Sequence, residues 1–263
     1  QFRNVMVQFG YYQRPQSVAV FLVLLGLLCF FHLFFMRRTK QYSAVKVAFW
    51  TAFVLLFSYP FLSHDVFNYM FDAKMLTFYH QNPYLHIATD FPHDQWLRFM
   101  HWTHRPYPYG PTFLPITLVP AFLGMGKFAP SLLLFKLLFA GSYLWMVYAV
   151  TKMNKNWGMF VATHPLIIIE GLVNNHNDLI ALSLGLIGIC MLLSGSKVVS
   201  RVFLLLSGGI KYITVPLLLL NKHKNSPMVT VSAVLILTLL TYLVFFQEVQ
   251  PWYFLSLFVF VPY

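Results

Sequence analysis

Charge is the scarcest property of this chain. Only 10% of its 263 residues are Asp, Glu, Lys or Arg, against roughly 25% in a soluble domain. Acids are rarer still, at seven. With 59% hydrophobic residues, a water-soluble globular fold is excluded and a polytopic membrane protein is indicated. The two cysteines, Cys29 and Cys190, each lie inside an apolar run, which argues against a disulfide framework or a cysteine metal site. Phosphate-loop, dinucleotide and serine-nucleophile signatures are missing, and there is no internal repeat, low-complexity tract or soluble domain. A net charge of +11 raises the question of nucleic acid, but a nucleic-acid binder gathers its basic residues on one wettable patch. Here they fall in short clusters between apolar runs, so no nucleic-acid partner is expected.

Those clusters set the expected topology. Arg37-Arg38-Lys40, Lys152-Lys155, Lys197-Arg201 and Lys222-Lys224 contain no acid, the signature of cytoplasmic loops. A spanning helix needs about 20 apolar residues, and Ser17 to Met36, Ala44 to Leu62, Pro130 to Val150 and Pro227 to Phe246 meet that. Trp157 to Val173 and Asp178 to Leu193 are shorter and join at a polar turn. Parity then makes Pro111 to Leu123 a surface or re-entrant element. It also makes the segment between Lys197 and Lys222 turn back near Gly208-Gly209-Ile210-Lys211. In this arrangement Asp65, Asp72, Asp90, Asp94, Asp178 and Glu248 lie outside or at the outer interface. The closing run Pro251 to Tyr263 is too short to span, which, with the initial Gln, points to a fragment or a truncated reading frame. The fold class expected is all-α: a transmembrane helix bundle over residues 1–263 with a large external loop, 63–110, and re-entrant helices.

That loop holds four of the seven acids, six of the ten histidines and twelve aromatic residues. Asp65, Tyr69 and Asp72 share one helical face, beside an apolar stripe of Val66, Met70 and Ala73. The pattern predicts a helix along the membrane surface with its carboxylates towards water or substrate. Asp65 reads either as a base made more basic by partial desolvation or as an acid stabilised at a helix N-terminus. His64 beside it either binds a phosphate or faces water, and Asp72 reads as a supporting or solvated residue. Tyr107-Pro108-Tyr109-Gly110-Pro111 is a stiff turn that re-enters the membrane at a set angle and would hold Arg105 and Tyr109 over a site.

Asn174-Asn175-His176-Asn177-Asp178 places five polar residues where a plain hairpin needs two or three. It is either a functional cluster or an external loop. Lys211 is a lone charge in a glycine-broken apolar segment, where it either meets an anion or snorkels to the interface. His101 and His104 stand at i, i+3, but no cysteine joins them and the other histidine spacings are irregular, so no metal is expected.

The ordered set S-H-D-V-F-N-Y, N-P-Y (Asn82 to Tyr84), W-T-H-R-P-Y-P-Y-G-P, N-H-N-D, G-G-I-K-Y-I-T-V-P and Q-P-W-Y (Gln250 to Tyr253) resembles the polyprenyl-phosphate-mannose-dependent mannosyltransferases of the GT-C class, akin to the alpha-1,6-mannosyltransferases. The sequence departs from them in having His64 before the Asp and Phe67 where tyrosine is common. The resemblance implies inverting transfer of a hexose, mannose by the family, from a polyprenyl-phosphate-linked donor in the bilayer to a lipid or glycan acceptor, without cofactor. It makes Asp65 the general base. Lys211, His176, Arg105 and His64 fall to the donor phosphate, and Tyr69, Asp72, Tyr109, Asn177 and Asp178 to the substrates. It implies a plasma-membrane protein with its site on the non-cytoplasmic side. A secondary transporter or lipid-linked-sugar flippase is the alternative from another class, and it calls for repeated halves. The enzyme reading requires Asp65, His176 and Lys211 to converge.

Overall fold

The computed structural model describes Val5 and residues 8–263, and every regular element among them is helical. In chain order the α-helices are α1 (Arg14–Met36), α2 (Ala44–Leu55), α3 (Asp65–Thr77), α4 (Phe113–Leu123), α5 (Phe128–Met153), α6 (Lys155–Thr163), α7 (Asp178–Leu193), α8 (Lys197–Ile210) and α9 (Pro227–Phe246). A π-helical stretch, Ile167–Val173, precedes α7, and 3₁₀ stretches Tyr212–Leu219 and Pro251–Phe260 follow α8 and α9. Helices α1, α5 and α9 are long and apolar enough to cross a membrane, and α6 with the π-helical stretch makes a fourth if that bent pair is one span. This is an all-α polytopic membrane protein.

The break in the bent pair follows from one residue. Pro165 disfavours helix at His164, which is extended (ψ 124°), and the two halves meet at 62°. Freed backbone groups must find new partners away from water. The Tyr143 hydroxyl donates to the carbonyl of Ala162, and His164 Nδ1 accepts from Leu166 N at 3.2 Å.

Three side-chain contacts gather the basic clusters at one end of the bundle. Thr39 donates to Asn156 Oδ1 at 2.7 Å, Lys224 sits 4.6 Å from the centre of the Trp157 ring, and Ser194 lies 3.7 Å from Met153 Sδ. Between Lys197 and Lys222 the chain reverses at Lys211, because Arg201 near the start of α8 donates to the carbonyls of Leu218 and Leu220 beyond the turn (2.6 and 2.7 Å).

Three expectations are corrected. The second span is helical only over the 12 residues of α2, about 18 Å. Pro60 disfavours helix before it, and Ser58 turns to Leu55 O and Lys136 instead. The closing run does traverse the bundle, as a 3₁₀ helix that rises about 2.0 Å per residue. Trp252 stacks on His176 at one end, and Tyr263 bonds Asn221 O at the other.

Helix α3 is the third. It does not lie on a surface, since every residue from Val66 to Met75 is buried. The loop folds over it. Asn68 donates to Trp102 O at 2.6 Å, and Lys74 pairs with Asp94, their side chains 8% and 3% exposed. Asp94 also accepts from Tyr79 (2.8 Å) and the Trp96 amide (2.8 Å). Burial pushes the Asp94 carboxyl up, but Lys74, the Trp96 amide and Tyr79 pull it further down, so it lies below its ordinary range.

Removing one member of such a pair orphans the other, so Asp94→Asn should destabilise by about 3–5 kcal/mol, read as an earlier thermal melt. A carboxyl held low stabilises above its unfolded pKa and loses that contribution as pH falls through its folded value. The native protein should therefore lose stability at pH below about 4, and Asp94→Asn should flatten that slope.

Candidate active site

The end of the bundle opposite the basic clusters collects the polar residues. Asp65 occupies the first turn of α3, where the helix dipole favours an anion. Its amide is taken by Ser63 Oγ at 3.2 Å. His176 lies in the turn before α7 and is fully buried. Its Nδ1 stands 3.4 Å from Asp65 Oδ2, and its Nε2 stands 3.4 Å from Glu170 Oε2. Both are ion-pair distances without hydrogen-bond alignment. Trp252 stacks on the imidazole at 3.8 Å between centroids.

Two residues on, Asp178 opens α7 and meets Lys211 at 2.9 Å. The lysine is placed there by a backbone dock between the two glycine turns. Thr112 N donates to Gly209 O at 3.1 Å, and a Cβ on Gly110 would fall 2.1 Å from that same oxygen. Only glycine lets the turn at Gly110 and the tip of the reversing segment approach so closely. Asp65, His176, Asp178 and Lys211 are thereby drawn into one cluster.

The other predicted residues surround it. Tyr69 accepts from Asn177 N at 3.4 Å and packs its ring on Tyr109 at 5.0 Å. Arg105 lies over the Trp102 ring at 4.4 Å and makes no ion pair within 4 Å among the described residues, though its charge reaches both Asp65 and Asp72. The ring of His64 faces Phe67 and His101. Among the described residues, no three His, Cys, Asp or Glu side chains form a metal-binding group.

Two electrostatic expectations change. Burial pushes Asp65 up, but the His176 ring first, then Lys211 and Arg105, pull it further down, so the carboxyl stands below its ordinary range. Desolvation therefore does not make it more basic. Asp72 is not solvated: burial holds its carboxyl up at about 8, against the opposing pull of Arg105, so it is protonated at neutral pH.

Lys211 is not stranded either. A carboxylate, Asp178, already serves it, one of the anions that could have met it. Sequence reasoning missed Glu170 and Lys136, although each is a lone charge in an apolar run and such residues are functional candidates. Lys136 on α5 donates to Ser58 Oγ (3.2 Å) and Asn175 Oδ1 (3.3 Å). It thereby anchors Asn175, a non-glycine residue at φ +57°.

Polar groups in this cluster outnumber their partners. Among the described residues nine buried side-chain nitrogen or oxygen atoms have no hydrogen-bond partner. In residues 174–178 Asp178 Oδ2 has only the Lys211 ammonium and the His176 nitrogens only the facing carboxylates, while Asn174 Oδ1 and both Asn177 side-chain atoms have neither. Buried polar atoms are rarely left so, and a hydroxyl-rich ligand is the kind of molecule that satisfies them.

A helical membrane bundle with such a cluster at one end is the architecture of an intramembrane site. The model of the alpha-(1->6)-mannopyranosyltransferase N-terminal domain (MptA_B) family matches residues 2–222, and the chain belongs to that family. The chain is thus a membrane mannosyltransferase, acting on a sugar donor and an acceptor. The transporter alternative gives way to it. No curated protein and no solved structure matches the chain.

Truncating Lys211 leaves Asp178 buried and unpaired, so Lys211→Met should destabilise by about 3–5 kcal/mol. Adding Asp178→Asn should restore most of the loss, as a thermal-melt double-mutant cycle would read. Asp72→Asn should leave the melting temperature at neutral pH unchanged or raised. The amide mimics the protonated acid, and a carboxyl held high weakens the fold as pH climbs from its unfolded value towards 8.

Proposed function

We propose that this chain transfers mannose from a polyprenyl-phosphate-linked donor to a hydroxyl of a lipid or glycan acceptor, with inversion and with Asp65 as general base. The unpartnered side-chain atoms of Asn174 and Asn177 carry this reading, because a sugar ring and a phosphate together offer the donors and acceptors they lack. Asp65 takes the acceptor proton as the hydroxyl oxygen attacks the anomeric carbon from the face opposite the phosphate. The glycosidic bond breaks with its electron pair passing to the phosphate oxygen.

The leaving phosphate gains negative charge in that step, and cations placed where charge develops lower the barrier. Lys211 and Arg105 are the cations we assign to it, with Lys211 shared between the phosphate and Asp178, and His176 and His64 are assigned to the same phosphate as polar neighbours. Tyr69, Asp72, Tyr109, Asn177 and Asp178 fall to the sugar and acceptor. The protonated Asp72 donates a hydrogen bond where an ionised acid could only accept. A depressed pKa makes Asp65 a weaker base but keeps it ionised at working pH, as the free-enzyme form requires. The donor's tail stays in the bilayer while its sugar enters the cluster. The chain acts as a single transmembrane domain, 1–263, in the plasma membrane, with residues 63–110 on the non-cytoplasmic side, because the basic clusters mark the other.

Membranes carrying the protein, incubated with radiolabelled polyprenyl-phosphate-mannose and acceptor lipids, should yield a labelled glycolipid or glycan. Asp65→Asn should lower the yield by a factor on the order of 10²–10⁴ in protein that still folds. Transfer at more than about half the native rate would remove Asp65 from the role. A cysteine replacing the exposed Leu85 should react with an impermeant thiol reagent on intact cells. Reaction only after lysis would reverse the sidedness.

A further inference from the structure

The seventh acid has no part in the scheme so far. Glu170 sits in the π-helical stretch Ile167–Val173, a rare winding that recurs at functional sites. It is 6% exposed. The wide turn brings three groups onto this residue. Asn174 Nδ2 donates to Glu170 Oε2 at 2.9 Å, His176 N donates to the Glu170 carbonyl at 3.0 Å, and His176 Nε2 faces that same Oε2 at 3.4 Å. On the far side of the ring stands Asp65, and Trp252 covers its face. The imidazole is thus fixed between two carboxylates from different elements. Asp178 on α7, with Lys211 beside it, and Arg105 from the loop are the other charges acting on these two acids.

We propose that Glu170 is a positioning residue that fixes His176 as a two-sided proton carrier behind Asp65. The inference rests on Asp65 being the base. A neutral imidazole has one N–H and one bare nitrogen, so a ring between two carboxylates accepts a proton on one side and releases one on the other without moving. The acceptor O–H bond breaks and its electron pair forms the bond to the anomeric carbon. The proton goes to Asp65 Oδ2 and on to His176 Nδ1, while the Nε2 proton passes to Glu170 Oε2. Asp65 is returned to its ionised form. On product release the two transfers run back, Glu170 to Nε2 and Nδ1 to Asp65, which restores the starting tautomer, and Asp65 hands the proton to the departing phosphate monoester, which accepts one near neutrality (second pKa about 6).

Glu170→Gln keeps the volume and the oxygen that Asn174 binds, and removes only the charge. It should lower kcat by at least about 10-fold, the lower end of the scale for losing a partner that orients a histidine, with the KM for the donor within about twofold of native. In a His176→Gln background the same substitution should cost nothing further, because Glu170 acts only through the ring. Equal losses in both backgrounds, or a raised KM with native kcat, would overturn the proposal. If Glu170→Gln does not fold, Glu170→Asp retains the charge one methylene away, and kcat should again fall in the native background alone. Native transfer by Asp65→Asn would remove the base assignment and this inference with it. An inactive Asp65→Asn beside a fully active Glu170→Gln would remove only this inference.

Discussion

Charges taken out of water must find one another, and that constraint decides the shape of the polar end. Asp178 and Lys211, 2.9 Å apart, join the start of α7 to the end of α8, where the two helices already pack together and Ser207 donates to Ala181 O at 2.7 Å. A buried ion pair contributes little net stability compared with apolar packing. Its retention here fits a site where a carboxylate and an ammonium have to be kept charged and close to a reacting bond. The imidazole of His176, with Asp65 on one side and Glu170 on the other, obeys the same rule. So does Lys74 with Asp94, which ties the loop that follows α3 over that helix.

Backbone irregularities put these side chains in place. Pro165 breaks the fourth span, the π-helical stretch then turns Glu170 towards His176, and Asn175 turns the chain at positive φ under the hold of Lys136. The dock of Gly110 on Gly209 brings the reversing segment to the turn before α4. Each is a departure from regular helix inside or beside a membrane, where unsatisfied backbone is costly. Each has its freed groups met by a named side chain or a neighbouring carbonyl. The central helices can be buried nearly all round because the charges are confined to these few places.

Much of the fold could be read from the chain. Apolar runs identified α1, α5 and α9, and the all-basic clusters foretold the reversal at Lys211, because parity and loop charge are properties of sequence alone. The extent of α2 was misjudged, since hydropathy does not register that Pro60 and a serine bonded to a lysine stop the helix early. The closing 3₁₀ helix was misread for a related reason: it covers more length per residue than the α-helix assumed. Helix α3 carries an amphipathic pattern, yet the pattern cannot show that the protein's own aromatic loop, rather than water, covers the second face. At the site, Asp65, His176 and Lys211 stood out through motif order, whereas the partner of Lys211 and the place of Glu170 depend on pairing across segments. A lone acid in Ile167-Ile168-Ile169-Glu170-Gly171 was the available signal, and it was as strong as that of Lys211.

The central claim is that Lys211 and its neighbours receive the phosphate of a lipid-linked sugar. Thermal melting of the detergent-solubilised protein with the reaction's other lipid product, a polyprenyl monophosphate, tests it most directly, because a ligand that binds only the folded state raises the melting temperature by mass action. The account predicts stabilisation that grows with polyprenyl phosphate concentration, is absent with a polyprenyl alcohol of the same length, and is lost in the Lys211→Met, Asp178→Asn double variant. Equal stabilisation of native protein and double variant, or a response to GDP-mannose in place of the lipid phosphate, would contradict it.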